Sequence, residues 1–312
     1  MKPISVFDAH CDTIARCYYL NEGLRYNTGQ LSLERTVCFA RYCQFFALWT
    51  EKEYAEEDGR ALEDSYYVLL NCFKKQMAQN PDKIVQCRTA EEAQRANCQG
   101  KAAAFLTVEG AELLGCDPDR LDQAAEDGVV AINLTWNHAN VLSGSSREQP
   151  ERGLSTIGRR FVEKMEELHI LVDVSHLSEA GFWDVVGMAR RPIIASHSNA
   201  KSVWDHTRNL TDGQITAIIK NQGVIGLNFY QGFVGGSRDL DMLRAHLDHI
   251  LALGGAASVA LGGDWDGCDT IEALPSIDSL PRLYEHLLRH GYGETVVQDL
   301  FYNNLMRVVS QR

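Results

Sequence analysis

Short apolar segments rich in β-branched and aromatic residues alternate with longer amphipathic segments along almost the whole chain. This alternation constrains the fold most strongly, because buried parallel strands are short and continuously apolar, whereas the helices between them bury only one face. Eight strands separated by helices predict a closed (β/α)8 barrel of the TIM type, with a doubly wound open sheet as the alternative. The eight predicted strands are Ile4–Asp12, Cys43–Trp49, Ala102–Glu109, Val129–Asn137, Leu171–His176, Pro192–His197, Gly223–Tyr230 and Ser258–Asp266.

Helical patterns occupy the intervals between the predicted strands. Apolar residues recur at helical spacing in 157–168, and Thr211-Asp-Gly-Gln214 resembles a capping box at the start of another helix. The interval 51–98 is long enough for two helices, and Cys268–Pro281, with two prolines, is expected to form a long loop and a candidate lid. Because neither an internal repeat nor a long linker interrupts the pattern, one domain over residues 1–312 is the economical interpretation.

The composition is that of an ordinary globular protein with an acidic balance. Hydrophobic residues make up 45% and the net charge is −12, so phosphate backbones and anionic lipid should repel the chain, and neither a nucleic-acid nor a membrane partner is predicted. Nine cysteines without a C-x-x-C pair argue against a disulfide framework and a cysteine-rich zinc cluster. Because we find neither a signal-peptide pattern nor an apolar run of the ~18 residues that a membrane span needs, we expect a soluble, cytoplasmic protein.

Polar and ionisable residues gather at the carboxyl ends of the predicted strands. Barrel enzymes build their active sites at this face from the ends of several strands, so the distribution is as informative as the residue types. The candidates, in chain order, are His10, Asp12, Glu109, His176, His197, Asp264 and Asp266.

His10 and Asp12 form the first candidate pair. Residues two apart on a strand project from the same face, so both side chains can reach one point, whereas Cys11 faces the other way and is expected to pack in the core. Imidazole nitrogen and carboxylate oxygen both suit zinc or a similar divalent ion. A hydrogen-bonded surface pair is the alternative for His10 and Asp12.

The remaining candidates extend this pair into a binuclear site. Glu109 ends a strongly apolar segment, where a carboxylate is costly to bury unless an arginine or a metal pairs with it, and it can present one oxygen to each of two ions. His176 and His197 each follow a serine at equivalent points of successive strands. Asp264 could bind a metal or take a proton from a metal-bound water, with Asp266 as its competitor or as a helix N-cap. Two ions that share a hydroxide predict hydrolysis of an acyl or phosphoryl centre.

Six motifs in the same order resemble those of the membrane (renal) dipeptidase family, peptidase family M19, within the amidohydrolase-like metal-dependent hydrolases. The segment Asn304-Leu-Met-Arg-Val also resembles the closing part of the family sequence, so the similarity spans nearly the whole chain. The resemblance implies a (β/α)8 barrel and a zinc-dependent dipeptidase. The six motifs are Asp8-Ala-His-Cys-Asp-Thr, Val108-Glu-Gly, Asp173-Val-Ser-His-Leu-Ser, Ser196-His-Ser-Asn-Ala, Arg208-Asn and Gly262-Gly-Asp-Trp-Asp-Gly.

The resemblance also implies a metal-binding role for five candidate residues. His10 and Asp12 would bind one zinc ion, and Glu109 would bridge the two ions. His176 and His197 would bind the second zinc ion. The cofactor implied is therefore two zinc ions, although manganese and cobalt suit similar ligands.

The remaining implied roles concern the reaction and the substrate. Asp264 would accept the proton of a metal-bridging hydroxide and later pass it to the leaving amine. Arg208 would hold the free carboxylate of a small peptide substrate through a bidentate, charge-assisted pair, which restricts the enzyme to short peptides. Tyr230, at the end of the seventh predicted strand, is expected to contact the substrate. Tolerance of a D-residue at the C-terminal position and a homodimer are implied by the family alone.

One departure from the family pattern lies in the fourth predicted strand. Many members have a histidine after Leu-Thr, thought to polarise the substrate carbonyl, whereas Leu134-Thr135 is followed here by Trp136 and Asn137. His138 could take over this role by a local rearrangement, which we favour, or Asn137 could donate the hydrogen bond, and Trp136 could line a pocket. Loss of such a donor costs ~2.7–4 kcal/mol of transition-state stabilisation, so this change bears most on substrate preference.

Two rival interpretations stay open. A related barrel amidohydrolase could act on N-acyl amino acids, lactones or related small esters and amides, and a requirement for a free carboxylate at Arg208 would separate it from a dipeptidase. A non-catalytic metal-binding or scaffold protein could also have kept the barrel.

Overall fold

A computed structural model describes residues 3–312 and contains a ring of parallel strands surrounded by helices. The strands in the described residues are β1 Ser5–Asp8, β2 Arg41–Leu48, β3 Ile84–Gln86, β4 Ala102–Glu109, β5 Val129–Asn133, β6 Leu171–Asp173, β7 Ile194–Ala195, β8 Val224–Leu227 and β9 Val259–Leu261.

Eight of these nine strands close into a barrel. β1 pairs with β2, β2 pairs with β4, and each later strand pairs with the next up to β9. β9 returns to β1 through the pairing of Asp8 with Leu261. The prediction of a (β/α)8 barrel is therefore confirmed, and the open doubly wound sheet is excluded because the ring is closed.

One of the nine strands, β3, lies outside the closed ring and was not predicted from the sequence. Its three residues pair with Ala102–Ala104 at the start of β4, whereas β5 pairs with the later part of β4, Leu106–Glu109, with an irregularity between Leu106 and Thr107. β3 therefore extends the barrel wall only at its amino end, away from the face where the candidate site residues lie.

Helices surround the barrel and connect its strands. The interval 51–98 holds three α-helices, a short 3₁₀-helix and β3, where two helices were predicted. Among residues 3–312, no helix combines the length and the apolar character that crossing a bilayer requires. The α-helices are α1 Thr13–Tyr19, α2 Lys52–Glu57, α3 Ser65–Gln79, α4 Ala90–Cys98, α5 Leu121–Asp127, α6 Thr156–Glu167, α7 Glu179–Met188, α8 Asp212–Lys220, α9 Gln231–Val234, α10 Leu240–Ala252, α11 Leu280–Arg289, α12 Glu294–Gln298 and α13 Asn304–Gln311, the last two joined by a π-helical segment, Asp299–Asn303.

Local sequence signals account for two of the predicted helices. The Thr211 hydroxyl accepts a hydrogen bond from the Gln214 backbone N–H, and the Gln214 side chain accepts one from the Thr211 N–H, so the predicted capping box starts α8. On α6, Phe161 and Met165 are fully buried, as their helical spacing predicts, while Ile157 at the first turn is exposed.

Successive residues along the strands face two different cores. Phe7, Phe45 and Phe105 point into the barrel with ring centroids 5.3–5.7 Å apart. Their chain neighbours Phe46 and Leu106 pack outwards against the helices, as the two-residue alternation of a strand requires. Apolar residues of α13 join the inner cluster and cover one end of it. Each fully buried phenylalanine contributes roughly 1.5–3 kcal/mol, so the lower barrel is a packed core and not a pore.

Several strands end earlier than predicted, which changes the backbone that carries the candidate residues. β1 ends at Asp8 and β6 ends at Asp173, so His10, Asp12 and His176 lie on the turns that follow the strands. His10 and Asp12 therefore do not share a strand face, contrary to the prediction, although both side chains still point to the same place. After β1 the backbone still bonds to its neighbours, because the Ala9 and Asp12 N–H groups donate to the Leu261 and Trp265 carbonyls, but it no longer forms a regular strand.

Candidate metal centre and substrate cavity

A cavity of about 880 Å³ opens at the carboxyl ends of the barrel strands. His10 lies beneath its floor and is 2% exposed, and His138 lies outside it. The structure therefore brings together nearly all the residues that the sequence nominated. Those that line the cavity are Asp12, Glu109, Asn137, His176, His197, Arg208, Tyr230, Asp264 and Asp266.

Glu109, the last residue of β4, lies at the centre of the candidate metal site. Its Oε2 atom is 3.3 Å from His10 Nε2, and its Oε1 atom is 2.9 Å from His176 Nε2 and 3.4 Å from His197 Nε2. Each oxygen thus faces a different group of nitrogen atoms, which is the arrangement that a bridging carboxylate needs. Burial raises the pKa of Glu109 to about 7, against the lowering effect of His10.

The first half of the centre consists of His10 and Asp12. His10 Nε2 lies 3.5 Å from Asp12 Oδ2. Burial lowers the pKa of the His10 imidazole, but the carboxylates of Glu109 and Asp12 outweigh burial and raise that pKa well above its usual value. His10 Nε2 and Asp12 Oδ1 are buried without a hydrogen-bond partner among residues 3–312, which is costly unless another group occupies the space between them.

The second half of the centre consists of His176 and His197. Their Nε2 atoms are 2.9 Å apart, and burial, reinforced by the positive groups His10 and Arg208, lowers both pKa values well below the usual value. His176 Nδ1 lies 3.1 Å from Asn137 Oδ1, to which it can only donate. His176 Nε2 therefore carries a lone pair towards Glu109.

The donor set fits divalent metal ions in both halves. A zinc ion with ligands at 2.0–2.2 Å in tetrahedral geometry separates neighbouring ligand atoms by about 3.3–3.5 Å. Three of the contacts around Glu109, to His10 and to His197 and between His10 and Asp12, measure 3.3–3.5 Å. In the second half, the Nε2 atoms of His176 and His197, whose pKa values are lowered, face each other at 2.9 Å, an arrangement that a cation between their lone pairs and Glu109 would stabilise.

Asp8, the last residue of β1, holds the backbone of the first half. Its carboxylate accepts hydrogen bonds from the backbone N–H of His10 (3.0 Å), the backbone N–H of Gly263 (3.0 Å) and the Trp265 indole (3.1 Å). It therefore links the turn that carries His10 to the turn that carries Asp264. Burial raises the pKa of Asp8 to about 6, and these donors act against that rise.

Asp173, the last residue of β6, does the same for the second half. One of its oxygens accepts hydrogen bonds from the backbone N–H groups of Ser175 (3.0 Å) and Ser196 (3.1 Å). These two residues directly precede His176 and His197. Neither Asp8 nor Asp173 was predicted to act at the site, and the signal that could have found both is an aspartate at a strand end, two or three residues before a candidate histidine.

Asp264 lies beside the first half. Its Oδ1 atom is 3.8 Å from His10 Nε2, and its Oδ2 atom accepts a hydrogen bond from Asn228 at 3.1 Å. Burial raises the pKa of Asp264. Asp266 has other partners, since it accepts hydrogen bonds from the Thr13 hydroxyl and the Gln30 N–H, both at 2.6 Å. Asp266 is therefore neither a competitor at the centre nor a helix N-cap.

Three residues of this site adopt a left-handed backbone. His176, Asp264 and Asp266 have φ values of 69°, 59° and 66°. Such conformations cost of order 1 kcal/mol or more for residues other than glycine, and they concentrate at functional sites where the surroundings hold them. The sharp turns after β6 and β9 explain why the side chains of His176 and Asp264 point back over the barrel mouth.

Arg208 projects into the cavity next to the second half. The residue is 4% exposed, and the two hydrogen bonds of its guanidinium among residues 3–312, to the Ser198 hydroxyl and the His197 carbonyl, are long, at 3.4 and 3.3 Å. Its Nε atom has no partner, and no carboxylate lies within salt-bridge distance of it, among residues 3–312. Burial lowers the pKa of Arg208 to about 10. A buried guanidinium without an anion is a binding site for one.

The turn after β5 differs from the prediction that favoured His138. His138 has a side chain 67% exposed and pairs with Glu148 through Nδ1 at 2.9 Å. Trp136 and Asn137 line the cavity instead. His138 therefore has no geometric support as a catalytic group, because the backbone at this turn directs the two residues before it inwards. Asn137 contacts His176, so it acts on a candidate metal ligand as well as facing the substrate space.

Aromatic residues form two walls of the cavity. Trp49 and Trp136 pack at 5.1 Å between ring centroids on one side, and Tyr230 and Phe233 pack edge to face at 4.8 Å on the other. The Arg208 guanidinium lies 5.3 Å from the centre of the Phe233 ring. Trp49 and Phe233 were not predicted; Trp49 stands immediately after β2 and Phe233 three residues after Tyr230, which are the positional signals available.

Buried imidazoles and carboxylates that converge at the carboxyl end of a (β/α)8 barrel define the class of this protein, a metal-dependent hydrolase of the barrel type. Comparison with known proteins narrows the class. The family model described as membrane dipeptidase (peptidase family M19) matches residues 1–312. The chain belongs to this family and is a metallodipeptidase, so the resemblance noted in the sequence is confirmed.

Individual relatives agree with this assignment. An uncharacterised protein from the region 5′ of pqqA in Klebsiella pneumoniae is 33% identical over 260 residues, which is 79% of this chain and 95% of the relative. The structure of a dipeptidase described as a metallopeptidase of family M19 has 28% identity and a TM-score of 0.90, covering 99% of this chain and 98% of its own. A metallopeptidase from Rhodobacter sphaeroides, liganded with a phosphinate mimic of the dipeptide L-Ala-D-Ala, has 28% identity and a TM-score of 0.89, covering 99% of each chain.

Proposed function

We propose that this metallodipeptidase uses two zinc ions to hydrolyse dipeptides that carry a free C-terminal carboxylate, and that it accepts a D-residue at that position. The single observation that carries the proposal is the buried guanidinium of Arg208 beside the candidate metal centre, with no carboxylate of residues 3–312 within salt-bridge distance of it. A dipeptide whose carboxylate pairs with Arg208 presents its peptide bond a few ångströms away, towards Glu109 and the two halves of the centre. A longer peptide has its carboxylate too far from the bond at that position.

The metal part of the proposal rests on the donor set. His10, Asp12 and Glu109 would hold one ion, and Glu109, His176 and His197 the other, which is the mixture of imidazole and carboxylate that zinc prefers. When bound, such a pair of ions would activate a water molecule and polarise the scissile carbonyl.

Asp264 supplies the proton transfer in this proposal. Its Oδ2 atom is occupied by Asn228, which leaves Oδ1 directed at the centre. Oδ1 accepts a proton from the attacking water while the new C–O bond forms, and it returns this proton to the amine nitrogen when the C–N bond breaks. Burial, which raises the pKa of Asp264, makes its carboxylate a better base for the first of these steps.

Tolerance of a D-residue is supported by the Rhodobacter sphaeroides relative, whose ligand mimics L-Ala-D-Ala. Arg208 holds a carboxylate without contacting the side chain next to it, so the two configurations differ only in which wall their side chain meets. Tyr230 and Phe233 stand on the wall nearest to Arg208 and would contact that side chain.

A cytoplasmic location is also proposed, because none of the nine cysteines is in a disulfide.

The test compares L-Ala-L-Ala and L-Ala-D-Ala with their C-terminal amides. We expect wild-type kcat/KM to favour the free acids by about 10–100-fold, the range for a hydrogen bond to a buried charged group. Arg208→Ala should lower kcat/KM for the acids to the level of the amides. Arg208→Lys should give a kcat/KM between those of wild type and Arg208→Ala, since lysine keeps the charge and loses the paired hydrogen bonds of the guanidinium. Arg147→Ala, which removes an exposed arginine from the same cavity, is the matched control and should keep the preference.

Two results would count against the proposal. If Arg208→Ala hydrolyses the free acids as well as wild type does, the carboxylate is not held by Arg208. If N-acyl amino acids or lactones are hydrolysed and no dipeptide is, the protein is a barrel amidohydrolase of a different specificity.

A further inference from the structure

Three metal-ligating side chains meet on the outside of the barrel, between α10 and α11. Asp241 lies in the first turn of α10, and His286 and His290 lie at the end of α11 and just after it. Asp241 Oδ1 is 3.3 Å from His286 Nε2 and 3.7 Å from His290 Nε2. One ligand atom from each residue lies within 4.8 Å of the other two. None of the three lines the substrate cavity.

The two histidines are arranged as a chelating pair. They are four residues apart and so share one face of the helix, with ring centroids 4.2 Å apart. His290 Nδ1 donates a hydrogen bond to the His286 carbonyl at 2.8 Å, which leaves Nε2 as the lone-pair atom on the side of Asp241. Hydrogen bonds of this kind orient histidines that ligate metals.

His286 provides a second, independent sign that a ligand is missing from this cluster. Its Nε2 atom is shielded from solvent and has no hydrogen-bond partner among residues 3–312. The atom nevertheless lies 3.3 Å from a carboxylate oxygen of Asp241. That separation lies within the range of about 3.3–3.5 Å expected between neighbouring ligands of a tetrahedral zinc ion. The same spacing occurs between Glu109 and the histidines of the candidate metal centre, called the main centre below.

Arg244 is the group that competes for Asp241. It contacts Asp241 Oδ1 at 3.3 Å from Nη2 and 3.4 Å from Nε, and its Nη1 atom makes a shorter hydrogen bond, 2.9 Å, to Asp248. Asp241 has a side chain 60% exposed, and ion pairs at that exposure contribute little, about 0–1 kcal/mol. Arg244 can therefore release Asp241 to a cation and keep Asp248 as its partner.

We propose that Asp241, His286 and His290 form a peripheral site for a divalent ion of the zinc type, with water completing its coordination. Two imidazoles and one carboxylate favour zinc over magnesium or calcium, which prefer all-oxygen sites. The site differs from the main centre in place and in exposure.

The position of the site indicates a structural role. α10 follows the segment that carries Tyr230 and Phe233, and α11 follows the loop that carries Cys268 and Ser276; both segments line the cavity. The two segments are joined near the cavity by a bridge between Tyr230 and Thr270. An ion held between α10 and α11 joins them a second time, at the outer surface, and so braces one wall of the cavity from behind.

The experiment titrates metal-free protein with Zn²⁺ against a chromogenic chelator. Wild type should bind one equivalent more than the double variant His286→Ala/His290→Ala, whatever number the main centre holds, and the variant should keep the dipeptidase activity of wild type. His249→Ala removes a histidine of α10 that pairs with Asp212 outside the cluster, and this control should bind as many equivalents as wild type. Equal stoichiometry in wild type and the double variant would overturn the proposal.

Arg244→Gln separates a metal site from a simple ion pair. If Asp241 is a ligand, removal of the neighbouring positive charge should tighten the extra equivalent, by several-fold at low ionic strength. Unchanged or weaker binding in Arg244→Gln would remove Asp241 from the site. Zn²⁺ should also raise the Tm of wild type more than that of the double variant, which reports the link between α10 and α11 independently of the count.

Discussion

The first half of the candidate metal centre, His10 and Asp12, and the second half, His176 and His197, face Glu109 from opposite sides. Each half includes a turn whose backbone N–H groups donate hydrogen bonds to a buried aspartate at the end of a strand. This aspartate is Asp8 in the first half and Asp173 in the second. The two halves differ in charge and in support. The first half carries carboxylates and has ligand atoms without partners, whereas the second half consists of neutral imidazoles whose Nδ1 atoms lie against other side chains.

This difference indicates that the two halves of the centre have different roles. Two contacts orient the imidazoles of the second half before any ion binds, since His176 Nδ1 contacts Asn137 and His197 Nδ1 contacts Ser196. The first half concentrates negative charge, because Asp264 lies 3.8 Å from His10 as well. We therefore expect the second half to determine geometry and the first half to determine how strongly an ion and its water are polarised.

The largest expected effect comes from breaking both halves at once with Glu109→Gln. Loss of one partner of a buried charge costs about 3–5 kcal/mol, which is about 10²–10⁴-fold in affinity for each half, and the two losses compound. Metal content after dialysis and kcat/KM for a dipeptide should both collapse. Glu112→Gln alters a half-buried glutamate, three residues further on and hydrogen-bonded to Asn140, and should retain both.

Asp264→Asn tests the proton transfer that we assign to Asp264, which lies beside the first half. The amide cannot take up a proton, so kcat should fall by about 10²–10⁴-fold, the usual contribution of a general base. Metal content should stay at the wild-type level, which distinguishes this variant from Glu109→Gln. Asp266→Asn is the control two residues away. Dipeptide hydrolysis that survives in Asp264→Asn would show that the proton goes elsewhere.

Asp8→Asn and Asp173→Asn sharpen the comparison, because each should weaken one half and spare the other. Residues that position metal ligands without touching the metal typically cost 10–100-fold in affinity. Crystals of each variant, measured at the zinc absorption edge, should show reduced occupancy beside His10 for Asp8→Asn and beside His176 for Asp173→Asn. Equal loss at both positions in either variant would mean that the two halves are not supported separately.

The smallest effect is expected from Asn137→Ala, which removes the acceptor of His176 Nδ1. We expect about a tenfold loss of affinity in the second half, with a matching rise in the metal concentration needed for activity. His138→Ala, at the next position, should leave kcat and KM within about twofold of wild type, because its contacts are on the exposed side. A larger loss in His138→Ala than in Asn137→Ala would restore the interpretation that the sequence favoured.

The sequence predicted the barrel well because eight apolar segments of the right length can satisfy their backbone only in a sheet covered on both faces. It predicted strand ends poorly, since beyond Asp8 the backbone keeps single contacts to its neighbours, such as the bridge between Cys11 and Trp265, without forming a regular strand. β3 was missed because three residues are too few to show a pattern. One domain over the whole chain and the homodimer stay predictions.

The candidate site divides in the same way. The candidate ligands were predicted from the residue types at strand ends, and the structure brings those side chains together. The roles of Asp8 and Asp173 were missed, although both stand at strand ends shortly before a candidate histidine, because each also holds the backbone N–H of a turn distant in sequence, Gly263 in one case and Ser196 in the other. Which of Trp136, Asn137 and His138 faces inwards depends on the torsion angles of one turn, and the order of residue types carries no information on that.

The pairing of Asp8 with Leu261, and the hydrogen bonds from Gly263 and Trp265 to Asp8, join the first and last strands of the barrel. Contacts between residues some 250 positions apart form late, since the chain entropy lost on closing so long a loop must be compensated by structure already present. A chain still emerging from the ribosome can carry both histidines of the second half, yet it lacks the strand that brings Asp264 to His10. The growing polypeptide is therefore expected to stay without hydrolytic activity until its last barrel strand has been synthesised and has folded against the first.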